Sequence, residues 1–125
     1  MTTALDWLQE AKDDLAAAES LGQAKLYAAA CFHCQQAAEK VLKAALIKLR
    51  GDFPKGHSLR QLAVSANLFG ELMNELAVLE GDYTVSRYPD VYGKPPRSLY
   101  DSQIFAQRFA AARKVVQVVE KWIRN

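Results

Sequence analysis

Across residues 25–49 the apolar side chains recur with the period of an α-helix, and no stretch of the chain alternates convincingly with period two. That pattern confines the chain to an all-helical packing. At 100° per residue, Tyr27, Cys31, Cys34, Ala38, Val41, Ala45 and Leu49 fall on one face. Phe32, Gln35, Glu39 and Leu46 form a mixed stripe beside it, and His33, Gln36, Lys40, Lys43, Ile47 and Arg50 form a third, mainly polar and basic. So wide an apolar arc implies a central helix touched by more than one neighbour, with alanines allowing close approach. Gly51 ends it and Pro54 prevents its resumption.

The flanking segments extend the same reading. A helix over 3–21 is capped by Thr2 or Thr3, carries Asp6 in its first turn, and buries Leu5, Leu8, Ala11, Leu15 and Ala18 before Gly22 stops it. A short helix over 58–66 starts with His57 or Ser58 in its N-cap region. The next, over 69–83, turns Leu72, Leu76, Leu79 and Tyr83 inward. Asp101 caps a last helix that runs to Ile123 on Phe105, Phe109, Ala112, Val116 and Val119. Four long helices with mostly short links predict an up-and-down antiparallel four-helix bundle with one additional short helix. At 125 residues, one domain over 1–125 is expected, with a core large enough to need neither disulfides nor metals.

Charge narrows the function only slightly. The net charge of +2 makes no argument for nucleic acid, but the chain from Ser86 onward carries eight Lys and Arg against three Asp and Glu. That basic third suits RNA, an acidic partner, or the chain's own acidic first helix. No signal peptide is visible, and no run of about 18 apolar residues exists to span a membrane. Two cysteines at helical spacing, without a disulfide framework, suit a reducing cytosol and predict a cytoplasmic protein.

Several polar groups stand out against this frame. Cys31 and Cys34 share a helix face, but zinc needs two further donors and His33 points elsewhere, so they are read as small core hydrophobes and no metal is expected. Gln35, Gln36 and Glu39 either rim the core or line a dimer seam or polar pocket. Lys43, with Lys40 and Arg50, is a stripe that is either solvated or meets phosphates. His57 is suited either to acid–base work or to capping the short helix that follows it. The loop over 84–99 is long and stiffened by Pro89, Pro95 and Pro96, and loops of this kind often carry function. Arg87, Tyr88, Asp90 and Tyr92 crowd into it: the arginine offers a planar fork to an anion, and the tyrosines can stack and donate. Pairing of Arg87 with Asp90 to pin the loop is the competing reading. Walker, dinucleotide, HExxH and GxSxG motifs are absent.

Three segments in order, FHCQQAAEKVLKA, GHSLRQL and SRYPD, resemble the HEPN domain family of small prokaryotic helical proteins over nearly the whole chain. The resemblance implies a helical bundle that often homodimerises, frequently beside a minimal nucleotidyltransferase in toxin–antitoxin-like pairs, with nucleotide binding proposed for the family. It implies a non-catalytic binding module with no cofactor, docking a nucleotidyltransferase and/or a nucleotide. Some branches are metal-independent ribonucleases with an Arg followed by His after four to six residues. Arg50 and His57 meet that spacing, so an endoribonuclease acting on RNA through this pair is the alternative. The intervening GDFPKG keeps the two off a single helix, and Gly51 stands where a polar residue is usual.

Overall fold

The computed structural model describes residues 2–86, 88 and 93–125. Helix α1 spans Ala4–Gln23 and opens with a reciprocal cap: Asp6 N donates to Thr3 Oγ1 at 3.1 Å, and Thr3 N donates to the Asp6 carboxylate at 2.8 Å. Helix α2 spans Tyr27–Arg50 and is closed by Gly51 at φ 85°, as its sequence predicts. Lys48 Nζ reaches across to the carbonyls of Trp122 and Ile123, where a cation suits the negative end of a helix. The turn over 51–58 feeds α3 (Leu59–Ser65), where Ser58 rather than His57 supplies the cap by accepting from Gln61 N at 3.2 Å.

The next segment departs from its expected length. Helix α4 covers only Phe69–Leu79, because Gly81 adopts φ 97° and turns the chain before a separate short helix, α5 (Asp82–Val85). A 3-10 turn at Pro96–Ser98 follows, and then α6 (Ser102–Arg124), whose Asp101 cap accepts from Ile104 N at 2.8 Å. All the elements are helical, with no strand among the described residues. Helix α2 lies between α1 and α6 and also meets α3, α4 and α5, while α4 packs chiefly on α6.

The core follows from that central position. Ala37, Ala38, Val41, Leu42, Ala44, Ala45 and Leu46 of α2 are fully buried among Leu8 and Ala11, Leu59 and Leu62, Leu72 and Leu76, and Val115 and Val119. The predicted stripes hold in their middles and fail at their ends. Leu5 and Leu49 are about half exposed.

Gly22 does not stop α1, which continues through it to Gln23. Its role is close approach: a Cβ at this position would lie 2.4 Å from the Phe105 ring. That ring is held between Tyr27 and Phe109, with centroids at 6.1 and 5.5 Å, so it has little room to swing away. Gly22→Ala is therefore expected to destabilise the protein by about 1 kcal/mol net, the overpacking strain outweighing the better helix propensity of alanine. Thermal unfolding followed by circular dichroism checks this, and an unchanged midpoint would show that Phe105 yields freely.

Candidate functional site

Glu39 sits near the middle of α2 with 3% of its surface exposed. A bare carboxylate there would be costly, and three groups offset the cost. Gln35 one turn earlier donates Nε2 to Oε1 at 3.3 Å, and Lys43 one turn later brings Nζ to Oε2 at 2.9 Å. The Gly/Pro turn after α2 folds back so that His57 Nδ1 lies 3.0 and 3.1 Å from the two carboxylate oxygens. An ionised carboxylate only accepts, so Nδ1 carries its proton and Nε2 is the ring nitrogen left to act outward.

Aromatic rings fix the surroundings. Tyr83 of α5 stacks on His57 with centroids 4.1 Å apart and planes 16° from parallel, and Phe32 backs Tyr83 at 6.0 Å. Trp7 and Phe53, edge to face at 5.2 Å, flank the ammonium of Lys43 at 5.7 and 4.9 Å. Lys43 is thus buried among rings and a carboxylate rather than lying on a solvated stripe. His57 keeps about half of its side chain exposed. The result is an imidazole held by its edge and one face, and open elsewhere.

Gln35 and Gln36 each bury an amide oxygen that finds no hydrogen-bond partner among the described residues. Each such atom costs about 1–3 kcal/mol. The His33 and Lys40 side chains, on the same helix, turn toward α1, where Asp14 accepts from His33 Nδ1 at 2.7 Å and pairs with Lys40 Nζ at 2.8 Å. Two further carboxylates tie the other side of the site. Glu80 accepts from Leu59 N and Arg60 N at the start of α3, at 3.4 and 3.1 Å. Asp82 accepts from Tyr100 Oη and Arg108 Nε, each at 2.8 Å. Burial pushes the Asp82 carboxyl upward, against the lowering pull of Tyr100 and Arg108.

The remaining residues singled out in the sequence fall in different places. Arg50 lies at the exposed end of α2 with Nε on Asp52 at 3.1 Å, and no hydrogen bond or ion pair among the described residues joins it to His57. Arg87, Asp90 and Tyr92 lie outside the described residues. Tyr88 is half exposed, and its N–H donates to Thr84 O at 3.1 Å, so this residue follows directly on the turn that carries Tyr83. Cys31 and Cys34 are fully buried, and burial pushes the Cys31 thiol up to about 12 and the Cys34 thiol higher still. Among the described residues no group of three or more His, Cys, Asp and Glu is placed to hold a metal ion, and no helix is long and apolar enough to cross a membrane.

The carboxylate partners were what the sequence concealed. Glu39 and His57 are 18 residues apart, Asp14 and His33 are 19 apart, and Asp82 and Arg108 are 26 apart. No local motif links any of these pairs. The one usable signal was Glu39 itself, an acid flanking an apolar face.

The HEPN domain model matches residues 4–122 of the chain. The crystal structure of TT1696 from Thermus thermophilus superposes with a TM-score of 0.87 at 32% identity, covering 97% of this chain and 98% of that one. The structure of ST0689, an archaeal HEPN homologue, gives a TM-score of 0.85 at 31% identity, with 98% and 99% covered. Among curated proteins none matches.

The two ends of the Glu39–His57 contact differ in burial, and so their removal differs in cost. Glu39→Ala strands the buried ammonium of Lys43 and is expected to cost about 3 kcal/mol in denaturant unfolding. His57→Ala, at a half-exposed position, is expected to cost under about 1 kcal/mol. Equal effects would mean that Glu39 is not the hub of the cluster.

Proposed function

The chain belongs to the HEPN domain family, and on that premise we propose that it is a non-catalytic binding module. In this reading two copies pair, and the pair docks a nucleotidyltransferase and/or a nucleotide as part of a cytoplasmic toxin–antitoxin-like system. The observation that carries it is His57: a half-exposed imidazole, fixed by buried Glu39 and stacked on Tyr83 at the start of the segment holding Arg87, Tyr88, Asp90 and Tyr92. A buried carboxylate that holds a solvent-facing ring rigid preorganises a contact, and rigid contact groups lower the cost of binding.

Pairing of two copies is supported by the frequent dimerisation of the family and by the two-fold arrangement usual for small proteins; the unpartnered amide oxygens of Gln35 and Gln36 are buried within the chain itself. The buried free thiols fit a reducing compartment. Arg87 is the residue of this set best suited to an anionic ligand, through a planar bidentate fork.

A second reading rests on the same Glu39–His57 couple, since a carboxylate that orients an imidazole is the arrangement acid–base chemistry uses. Under it His57 would shuttle the proton in metal-independent RNA cleavage, with Arg50 on the phosphate. Arg50 makes no hydrogen bond or ion pair with His57 among the described residues, which favours the binding module.

Three measurements separate these. Sedimentation at tens of micromolar is expected to show a species of twice the chain mass, and a single 13.9 kDa species would remove the pairing. Nucleotide titration is expected to weaken about tenfold or more in Arg87→Ala, the loss of a charged hydrogen bond, with the helical content retained. Unfolding of Arg87→Ala would make the arginine a structural clamp instead. Structured and single-stranded RNA incubated without metal should remain intact, and cleavage that His57→Ala abolishes would establish the second reading in its place.

A further inference from the structure

The helical period of the sequence runs on through residues 80–83, yet three of these four side chains grip different parts of the molecule. Glu80 holds the first amides of α3, Asp82 holds Tyr100 and Arg108, and Tyr83 lies flat on His57. Gly81, at φ 97°, is the bend that lets successive residues point to α3 and to α6. The strap therefore joins the entry of α3, where His57 sits, to the first half of α6.

Helix α5 is only four residues long, too short to hold its own conformation. Its position is set by attachments, among them its packing on α2, the Phe32 ring behind Tyr83 and the Asp82 tether. The tether is built as a specific device rather than as filler. Asp82 is 5% exposed, its two carboxylate oxygens are taken separately by the Tyr100 hydroxyl and the Arg108 guanidinium, and the Ser86 hydroxyl closes back on the Asp82 carbonyl. Buried ion pairs seldom add net stability over apolar packing, but they do specify one arrangement. A cavity of about 360 Å³ lies beside it, lined in part by Val85, Tyr100, Ile104 and Arg108.

We propose that Asp82 is a positioning residue: by tying α5 to α6 through Tyr100 and Arg108, it holds Tyr83 against His57 and thereby fixes the imidazole that Glu39 orients. The proposal rests on His57 belonging to the contact site described above, but the coupling is measured without any ligand. It makes the first half of α6 part of the site's control although no α6 residue touches His57 among the described contacts.

Isotope-labelled full-length protein supplies the test by NMR. In the wild type the His57 ring protons should show nuclear Overhauser contacts to Tyr83 and the upfield displacement of a stacked ring. Asp82→Ala should lose both while the protein stays helical by circular dichroism. Asp101→Ala, which removes only the N-cap of α6, should keep both. A folded Asp82→Ala with the His57–Tyr83 contacts intact overturns the proposal. If Asp82→Ala does not fold, Tyr100→Phe removes a single hydroxyl and carries the same test: weakened contacts support the tether, and unchanged contacts overturn it. Loss of the stacking in these variants, together with unchanged nucleotide and partner binding in His57→Ala, would uphold the tether and defeat the binding-module reading instead.

Discussion

Everything near the functional end of this molecule depends on the burial of one carboxylate. Glu39 lies in the centre of the most enclosed helix, where an unpartnered charge is not tolerated. Gln35 and Lys43 satisfy it from its own helix, a turn on either side. The remaining acceptor capacity is met only if the chain leaves α2, turns through Gly51 and Pro54, and returns with His57. The 51–58 turn places His57 on that carboxylate, Glu80 holds the start of α3, and the Asp82 tether places the stacking partner on α5.

The same device recurs around the bundle. Asp14 joins α1 to α2 through His33 and Lys40, Glu80 joins the end of α4 to the start of α3, and Asp82 joins α5 to α6. The hydrophobic drive that collapses the alanines and leucines is non-directional. Carboxylates with fixed partners are directional, and they favour one register at the contacts they bridge, which suits a site assembled from α2, α3 and α5. Phe105 against Gly22 does for the α1–α6 contact by steric fit what the carboxylates do by charge.

The fold was legible because its signals are local. Period, caps and breakers placed α1, α2 and α6 within a few residues, with Thr3, Gly51 and Asp101 acting as read. Gly22 and Gly81 show where local reading stops. The first glycine serves a tertiary approach to Phe105 and not a helix end, while the second breaks a pattern that looked continuous to Tyr83. The site was legible only in part. Glu39, Gln35, Lys43 and His57 each stand out, but as separate features, since the spacing between Glu39 and His57 carries no motif. Lys43 reads as a surface cation because helix geometry alone cannot reveal that Trp7 and Phe53 close over it. Arg87, Asp90 and Tyr92 lie outside the described residues, so their part in the site rests on the sequence.

Glu39 and His57 act as one unit through the contact of Nδ1 with both carboxylate oxygens. A double-mutant cycle measures this directly, using Glu39→Gln, His57→Ala and the double variant in denaturant unfolding at neutral pH. A coupling energy of about 0.5–1 kcal/mol is expected, most of what His57 contributes and within the range for contacting residues of one network. Additive effects, with coupling indistinguishable from zero, would contradict it: the imidazole would then rest beside Glu39 without being held by it.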